Sequence, residues 1–376
     1  MLELTMLPAR QGDALWIRWG NADSPHQLII DMGTEEIGDN IRRRLEALDD
    51  TKREFELLVV THVDRDHIGG VLTCLAETQP LPGLSFKDVW FNGWVHLNGG
   101  HVSQPVPAGG SRTDSGLESF GPAQGERLSN WLRKQTWNRA FAGKPVLRKP
   151  GAAPTTITLA DGLTLTVLGP TPDRLREFIP KWKEEVAIAL EKDTLHEVSP
   201  GLESYGPKTP PDLEAPVDLE ILAKSNSAGD PSEANGSSIS LLLEYKDRRI
   251  VLAGDAFADD LVAGLAEVAP RQLEVDAFKL PHHGSKNNVT KTLVEAINCK
   301  NWLFSTDGTQ FRHPDAVAIA RVICYSSQRP VTLFFNVPST FNRWWSNPDW
   351  KEMYHYQTEY GDDNGGLTIG FSTDDD

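Results

Sequence analysis

The sequence predicts a layered α/β domain. Short apolar runs rich in Val, Ile and Leu stop abruptly at polar residues, as buried strands do where they end in loops. Segments of helical character, such as 258–268 and 288–297, lie between these runs. Strands that alternate with helices are typical of sheets covered by helices.

The predicted strands form two groups along the chain, and several of them end at residues with reactive side chains. The first group has strands at 28–30, ending at Asp31, and at 55–60, ending at Thr61-His62, with a helix at 41–48 between them. The second group has strands at 238–245, at 249–253, ending at Gly254-Asp255, at 277–281, ending at His282-His283-Gly284, and at 302–305. Open α/β sheets gather ligand-binding groups at the carboxyl ends of strands, so we expect these residues to meet.

The chain between the two groups has a different composition, with clusters of Gly and Pro. We predict a single domain over residues 1–376, with a core at about 1–75 and 235–340 and an insertion at about 76–234. Residues 199–234 are rich in Pro, Gly, Ser and acidic residues, which predicts a flexible linker.

Composition excludes several classes of protein. With 37 basic and 53 acidic residues, the 376-residue chain has a formal charge of -16, which excludes a nucleic-acid binder whose whole surface is basic. The three cysteines are far apart and form no CxxC pair, so we expect neither a disulfide framework nor a cysteine zinc site, and a cytoplasmic location fits. No run of about 18 apolar residues occurs, so we expect no membrane partner.

The segment 61–70 predicts a metal site. It places two imidazoles and two carboxylates within six residues, at His62, Asp64, Asp66 and His67. Imidazole nitrogen and carboxylate oxygen bind zinc and its neighbours in the first transition row, and one loop can bring all four together. The alternative is a solvated turn in which the two aspartates cap a helix.

Several motifs in order resemble the metallo-β-lactamase superfamily of binuclear metallohydrolases: Asp31-Met32-Gly33, His62 to His67, Gly254-Asp255 and His282-His283-Gly284-Ser285. The His-x-Asp-x-Asp-His form is similar to the hydrolase domain of ComEC-type DNA-uptake proteins, as are Gln11-Gly12-Asp13-Ala14, Asn235-Gly236-Ser237-Ser238 and His313-Pro314. The resemblance covers about residues 1–75 and 235–325 and leaves the insertion unexplained. It implies an αββα sandwich with metal-binding loops along one edge.

The resemblance also implies roles for individual residues. His62 and Asp64 would hold one metal, Asp66 and His67 a second, and Asp255 would bridge them. One of His282 and His283 would complete the second site, because adjacent side chains on an extended strand point to opposite faces; we weakly favour His282. A water between the metals would be the nucleophile, and Asp64 and Asp66 would orient it.

Two departures from the commoner His-x-His-x-Asp-His pattern affect the choice of metal. Asp64 stands where a second His is usual, and Asn235 lies near the usual third His. Oxygen ligands make manganese more competitive with zinc, so we expect two divalent ions, zinc or manganese, without deciding between them. Asp31 is expected to orient a metal ligand.

Three further residues follow strands near these motifs. The resemblance suggests that His313 stabilises the transition state or protonates the leaving group; the alternative is an ordinary loop histidine. Ser285 and Lys286 are positioned in sequence to contact a substrate phosphate, and a solvated turn explains them equally well.

A basic segment at 127–149 contrasts with the acidic chain. It carries seven Lys and Arg residues and no Asp or Glu, interleaved with Trp and Phe. Arg133, Lys134 and Arg139 would grip a phosphate backbone, with rings stacking on bases. The alternative is a helix with its Trp and Leu in the core and its basic residues in water.

The leading function is therefore a metal-dependent hydrolase, specifically a phosphodiesterase or nuclease acting on nucleic acid or another phosphodiester. A hydrolase of a small ester, lactone or thioester would use the same metals in an apolar pocket. A third possibility is a non-catalytic protein that keeps the metal site for regulation or partner binding.

Overall fold

A computed structural model describes residues 1–102, 123–191, 218–269 and 271–373. The strands are β1 Leu2–Met6, β2 Leu15–Gly20, β3 Pro25–Ile30, β4 Glu54–Phe55, β5 Leu57–Val59, β6 Ser85–Phe86, β7 Val89–Trp90, β8 Thr156–Thr158, β9 Thr164–Gly169, β10 Ser240–Tyr245, β11 Arg248–Leu252, β12 Leu273–Lys279, β13 Ile297–Phe304, β14 Val331–Phe335, β15 Tyr356–Tyr360 and β16 Leu367–Phe371. The helices are α1 Glu35–Glu46, α2 Arg65–Val71, α3 Trp94–Leu97, α4 Ala123–Leu132, α5 Pro172–Glu191, α6 Leu219–Ala223, α7 Glu233–Gly236, α8 Ala258–Val268, α9 Lys291–Glu295, α10 Ala316–Tyr325 and α11 Pro348–Tyr354.

Two large sheets contain most of the strands. One sheet has the order β16-β1-β2-β3-β5-β7, and the other has the order β15-β14-β13-β12-β11-β10-β9-β8. Strand β5 is parallel to β3 and β7, and β11 to β15 are parallel to one another. The carboxyl ends of β11, β12 and β13 therefore meet at one edge of their sheet.

Alternation of apolar residues along the strands creates three buried layers. The layer between the sheets takes alternate residues of β1 and β2, such as Leu4 and Ile17, and packs them against Leu241 and Leu243 of β10. The opposite face of the six-stranded sheet packs on α1, α2, α4 and α5, and that of the eight-stranded sheet on α6, α8, α9 and α10. The predicted αββα sandwich is confirmed.

The structure describes only the last part of the predicted linker. Residues 199–217 of the predicted linker lie outside the described residues. Residues 218–234 form α6 and the start of α7, because Leu219 and Ala223 are buried against α10 and Asp218 accepts hydrogen bonds from the first turn of α6. This part of the predicted linker therefore packs on the core. None of the helices in the described parts of the chain combines the length and apolar character needed to cross a bilayer.

Candidate metal centre

Three loops bring polar side chains together at one edge of the sandwich. His62 and Asp64 follow β5, Asp255 follows β11, and His282 and His283 follow β12. The backbone N–H of Ile239 donates to the carbonyl of Thr61 at 2.9 Å, which joins the two sheets at this edge. Strand ends that are far apart in sequence thus meet, as we expected from the chain pattern.

Four buried side chains form the centre of the cluster. His283 Nε2 lies 3.2 Å from His67 Nε2, 3.2 Å from Asp66 Oδ2 and 3.4 Å from Asp255 Oδ2. Asp255 Oδ2 also lies 3.3 Å from His67 Nε2. Asp66, His67, Asp255 and His283 thus aim one ligand atom each at a common point.

A second group adjoins the first through Asp255. His62 Nε2 lies 3.5 Å from Asp64 Oδ2 and 4.0 Å from Asp255 Oδ2. Asp64 directly precedes α2, but its carboxylate makes no capping hydrogen bond to that helix. The capping alternative for Asp64 therefore fails, and Asp255 lies where one carboxylate can serve two adjacent sites.

The donor set fits divalent metal ions. Buried polar atoms without a hydrogen-bond partner among the described residues include His62 Nε2, Asp64 Oδ2, Asp66 Oδ2 and both carboxylate oxygens of Asp255. Leaving such atoms buried and unpaired is costly, so their convergence is explained if they bind cations. Mixed imidazole and carboxylate ligands suit zinc, manganese and iron alike.

Hydrogen bonds on the far side of the imidazoles fix their orientation. His67 Nδ1 donates to Asp31 Oδ2 at 2.8 Å, and His283 Nδ1 donates to the carbonyl of Ser305 at 2.9 Å. Thr61 Oγ1 donates to Asp31 Oδ2 at 2.7 Å and lies 3.0 Å from His62 Nδ1. Each ring therefore turns Nε2 towards the cluster.

The two adjacent histidines separate because their backbone is not extended. His282 and His283 have φ values of 47° and 52°, in the left-handed region, within a turn at Pro281–Gly284. Of these two histidines, the sequence favours His282 as the ligand, but the structure places His283 in the cluster. Side-chain alternation assumes an extended strand, and this turn does not meet that assumption.

His282 instead contacts a polar network that includes the predicted residue Asn235. His282 Nδ1 lies 3.2 Å from Asp230 Oδ2, 3.0 Å from Asn288 Oδ1 and 3.2 Å from Asn235 Nδ2. Asn235 and Asn288 each donate a side-chain hydrogen bond to Asp230 Oδ2, at 2.9 and 2.8 Å. Although burial opposes it, hydrogen bonding by His282 lowers the pKa of Asp230, which keeps the carboxylate charged.

His313 lies beside this network, and Ser285 and Lys286 lie in the turn that follows it. The partly buried His313 ring is 5.1 Å from the His282 ring, edge to face. Burial, together with His282 and His283, holds the pKa of His313 well below its usual range, so its imidazole is neutral. Ser285 is buried and its Oγ accepts from the Asn287 N–H, while the Lys286 N–H donates to Asp315.

Charges within the cluster stabilise one another strongly. Burial alone would raise the pKa of Asp255, but His67 and His283 hold it well below its usual range. Burial would likewise lower the pKa of both histidines, but Asp255 and neighbouring carboxylates raise it well above the usual range. A metal cation that binds here would replace the protons on these rings, because a histidine must be neutral to act as a ligand.

A polar cavity of about 430 Å³ is lined by residues that are close in sequence to the centre but includes none of its candidate ligands. Arg65, between Asp64 and Asp66 in sequence, lines it together with Arg10 and Gln11. Arg65 is paired with Glu35 at 2.6 Å, and Arg10 lies 3.5 Å from Glu36. The cavity is within the size range of small-molecule sites and has both hydrogen-bond donors and acceptors.

The predicted basic segment lies at the edge of the six-stranded sheet. Trp137 pairs in parallel with Val89 of β7, and the Arg139 N–H donates to Asp88, just before β7. Arg133, Lys134 and Arg139 are exposed, whereas Arg127 is paired with Glu77 and Arg148 with Glu267. Since β7 is parallel to β5, these three exposed cations lie at the end of the sheet opposite His62.

Sequence reasoning did not assign three buried polar residues near the centre. Asp13, Lys279 and Asp230 are each largely inaccessible and contact the histidines or one another. Asp13 belongs to one of the motifs that carry the resemblance, and Lys279 directly precedes Leu280-Pro281-His282. Their closeness to these motifs in sequence could have indicated that both lie near the site. Asp230 lies in linker-like sequence, which gave no such indication.

No family model and no curated protein matches the chain. Among solved structures, it is similar to the metallo-β-lactamase fold protein YhfI from Bacillus subtilis, with a TM-score of 0.39 and 10% identity over 98% of each chain. It is also similar to a putative metal-dependent hydrolase from Parabacteroides distasonis, with a TM-score of 0.34 and 10% identity over 85% of this chain and 88% of that one.

A third similar structure is CmlA, a diiron β-hydroxylase from Streptomyces venezuelae, with a TM-score of 0.35 and 10% identity over 85% of this chain. The match covers 47% of CmlA, so the chain spans about half its length. Because all three TM-scores are below 0.5, the fold and the site rest on the strand order and side-chain geometry of the chain itself.

Proposed function

We propose that the chain is a metal-dependent hydrolase that uses two divalent ions to cleave phosphodiesters. The observation that carries this proposal is the convergence of buried, unpaired ligand atoms around Asp255. His62, Asp64 and Asp255 would hold one ion, and Asp66, His67, Asp255 and His283 the other. When bound, such a pair of ions supplies an activated water and neutralises charge on the substrate oxygens.

The surrounding residues support hydrolysis in specific ways. Asp64 and Asp66 each direct a carboxylate oxygen without a hydrogen-bond partner among the described residues into the cluster, where it can orient a water. His313 is held neutral by its surroundings, so it suits hydrogen-bond donation to a developing negative charge better than delivery of a proton. Asp31 and Thr61 keep the ligand rings aligned.

The substrate class is proposed from the donor chemistry and the motif pattern. An oxygen-rich first site suits manganese or zinc, and two divalent ions would neutralise the negative charge on the oxygens of a phosphodiester during hydrolysis. The motifs around Asp13, Asn235 and His313 are those that resemble ComEC-type hydrolase domains, which favours a nuclease within this class. A phosphodiester within a nucleic-acid strand is therefore the substrate that we propose.

The position of the basic segment sets a condition on nucleic-acid binding. Arg133, Lys134 and Arg139 lie towards the end of the sheet opposite His62, so an extended strand is the form of nucleic acid suited to contact both. Short substrates would meet only the polar cavity beside Arg65. This position also favours a second candidate, a hydrolase of small phosphodiesters that does not use the basic segment.

The proposal is tested by hydrolysis assays of the purified chain with zinc and with manganese in parallel. Substrates are bis-p-nitrophenyl phosphate, single-stranded DNA of several lengths and a panel of lactones and thioesters. Metal-dependent cleavage of the phosphodiesters, lost in Asp255→Ala, is the expected result. Turnover restricted to the lactones or thioesters would overturn the phosphodiesterase assignment, and no turnover of any substrate would favour a non-catalytic metal site.

A further inference from the structure

A fully buried lysine lies directly behind the candidate metal centre. The Lys279 side chain is 0% exposed, and its Nζ forms an ion pair with Asp13 Oδ2, which is itself buried. A buried ammonium ion is costly unless it is paired, and an apolar side chain of the same volume would often serve stability as well or better. The site around this pair therefore needs an explanation beyond packing.

The second oxygen of Asp13 faces a metal-ligand candidate. Asp13 Oδ1 lies 3.3 Å from His283 Nδ1, whose N–H donates to the carbonyl of Ser305. Lys279 is the last residue of β12, and His283 lies four residues later in the turn that follows this strand. Asp13 thus lies between a cation and an imidazole from the same segment of the chain. Lys279, Asp13 and His283 therefore form a chain of contacts that leads to the cluster.

The approach of Asp13 depends on a close backbone contact. The Asp13 N–H donates to the carbonyl of Asp66 at 3.2 Å, and a Cβ at Gly12 would lie 1.7 Å from that carbonyl oxygen. Only glycine at position 12 permits this contact. The β1–β2 loop is thus fastened to the metal-binding loop with the Asp13 carboxylate pointing at His283.

Asp13 meets a geometric criterion for a metal ligand, because one of its oxygens lies within 4.8 Å of ligand atoms of His67, Asp255 and His283. Its contacts favour a different role. Asp13 lies against Nδ1 of His283, whereas Asp66, His67 and Asp255 lie against Nε2. Its other oxygen is already paired with Lys279.

We infer that the Asp13–Lys279 ion pair is a positioning pair for His283. Lys279 holds the Asp13 carboxylate beside His283 Nδ1, which favours the ring form with its proton on Nδ1 and its Nε2 lone pair aimed at the second metal. This inference deepens the proposed function and rests on its metal binding. It assigns a role to two residues that lie outside the ligand set.

The test uses the double variant Asp13→Asn/Lys279→Met, which removes both charges and leaves neither buried alone. Arg148→Met/Glu267→Gln removes a second ion pair elsewhere in the chain and serves as the matched control. Zinc affinity for each equivalent is measured by competition with a chelating dye. The ring form of His283 in metal-free protein is measured by ¹⁵N NMR at a pH high enough for the ring to have lost its second proton, because neighbouring carboxylates raise its pKa. Thermal melting checks that each variant folds.

The expected result is a second zinc equivalent that binds about 10- to 100-fold more weakly in the double variant, with the first equivalent and the control unchanged. The NMR signal should change from the single Nδ1–H form to a mixture. Unchanged affinity together with a retained Nδ1–H form would overturn the inference. Tighter zinc binding in Lys279→Met would also overturn it, because Asp13 would then be a ligand.

The two measurements separate this inference from the proposed function. If the wild-type chain binds no zinc or manganese, the proposed function fails, while the metal-free NMR comparison still decides whether the pair sets the ring form of His283. If the double variant does not fold, Lys279→Met alone is measured in the same two ways. That variant keeps the volume of the lysine stem and loses only its charge.

Discussion

Each histidine that faces the cluster is oriented by a polar atom on its Nδ1 side. His67 is held by Asp31, His62 by Thr61 and His283 by Ser305. His282 differs, because Asp230, Asn235 and Asn288 surround its Nδ1 outside the cluster. Two adjacent histidines in one turn thus have separate roles.

This separation predicts different metal contents for two matched variants. His283→Ala should lower the bound metal from about two ions per chain to about one, because it removes a ligand of the second site. His282→Ala should leave the metal content unchanged while reducing turnover. Elemental analysis after gel filtration measures both, and equal losses in the two variants would contradict the assignment.

Asp230 should contribute to stability although its segment has linker composition. Asp230→Ala would remove the carboxylate that accepts from the side chains of Asn235 and Asn288 and contacts His282, at a cost of about 1–3 kcal/mol in the free energy of unfolding. Glu220→Ala, in the same segment with a side chain 75% exposed, is the control and should change stability by less than about 0.5 kcal/mol. Urea denaturation compares them, and equal stability of the two variants would refute the role of Asp230.

The residues at strand ends could be predicted from the sequence, but the ion pair between Asp13 and Lys279 behind the metal centre could not. His62, Asp66 and Asp255 each follow an apolar run, and local pattern is enough to place such residues at a sheet edge. Asp13 and Lys279 are 266 positions apart, so their contact depends on how the two sheets pack. The choice between His282 and His283 depends on left-handed backbone angles that no residue pattern indicated.

The basic segment combines structural and solvent-facing residues. Trp137 is buried, and the Asn138 side chain forms hydrogen bonds with the backbone of Phe91, directly after β7. Arg133, Lys134 and Arg139 are exposed. Trp137 is thus buried, as the alternative interpretation expects, but it lies outside a helix because α4 ends at Leu132. The three cations remain available to a long anionic ligand. Because these cations lie away from the metal centre, we expect only the cleavage of long substrates to depend on them.

Replacing Arg133, Lys134 and Arg139 together with Ala should weaken cleavage of long single-stranded DNA and flatten its salt dependence. Loss of three phosphate contacts on a single strand should reduce the salt slope by about 2, since each contact contributes about 0.7. Cleavage of bis-p-nitrophenyl phosphate and of very short oligonucleotides should stay near normal. An equal loss on long and short substrates would show that the segment acts only through folding.

The four-layer arrangement places the ligands on loops joined to both sheets, so metal binding should stabilise the whole domain. A metal present at 100 times its dissociation constant would add about 2.7 kcal/mol to the free energy of unfolding. Ligands from β5 and its loop lie in one half of the sandwich, and those from β11 and β12 in the other. Binding therefore links the two halves.

The pH dependence of this stabilisation follows from His67 and His283. Their pKa values are raised well above 6.5 by the carboxylates, so in metal-free protein their contribution is full below about pH 6.5 and is lost as pH rises through the raised values. Metal binding releases those protons and strengthens over the same interval. The difference in melting temperature between metal-loaded and metal-free protein should widen as pH rises above about 6.5, and a constant or shrinking difference would contradict this.

The most direct test of the central claim is a crystal structure of the chain grown with zinc or manganese, with anomalous scattering measured at the metal edge. We expect two peaks about 3.5–4 Å apart, one bound by His62 and Asp64, the other by Asp66, His67 and His283, with Asp255 touching both. Metal-loaded crystals that show no peak at Asp255, or peaks only elsewhere on the chain, would contradict it.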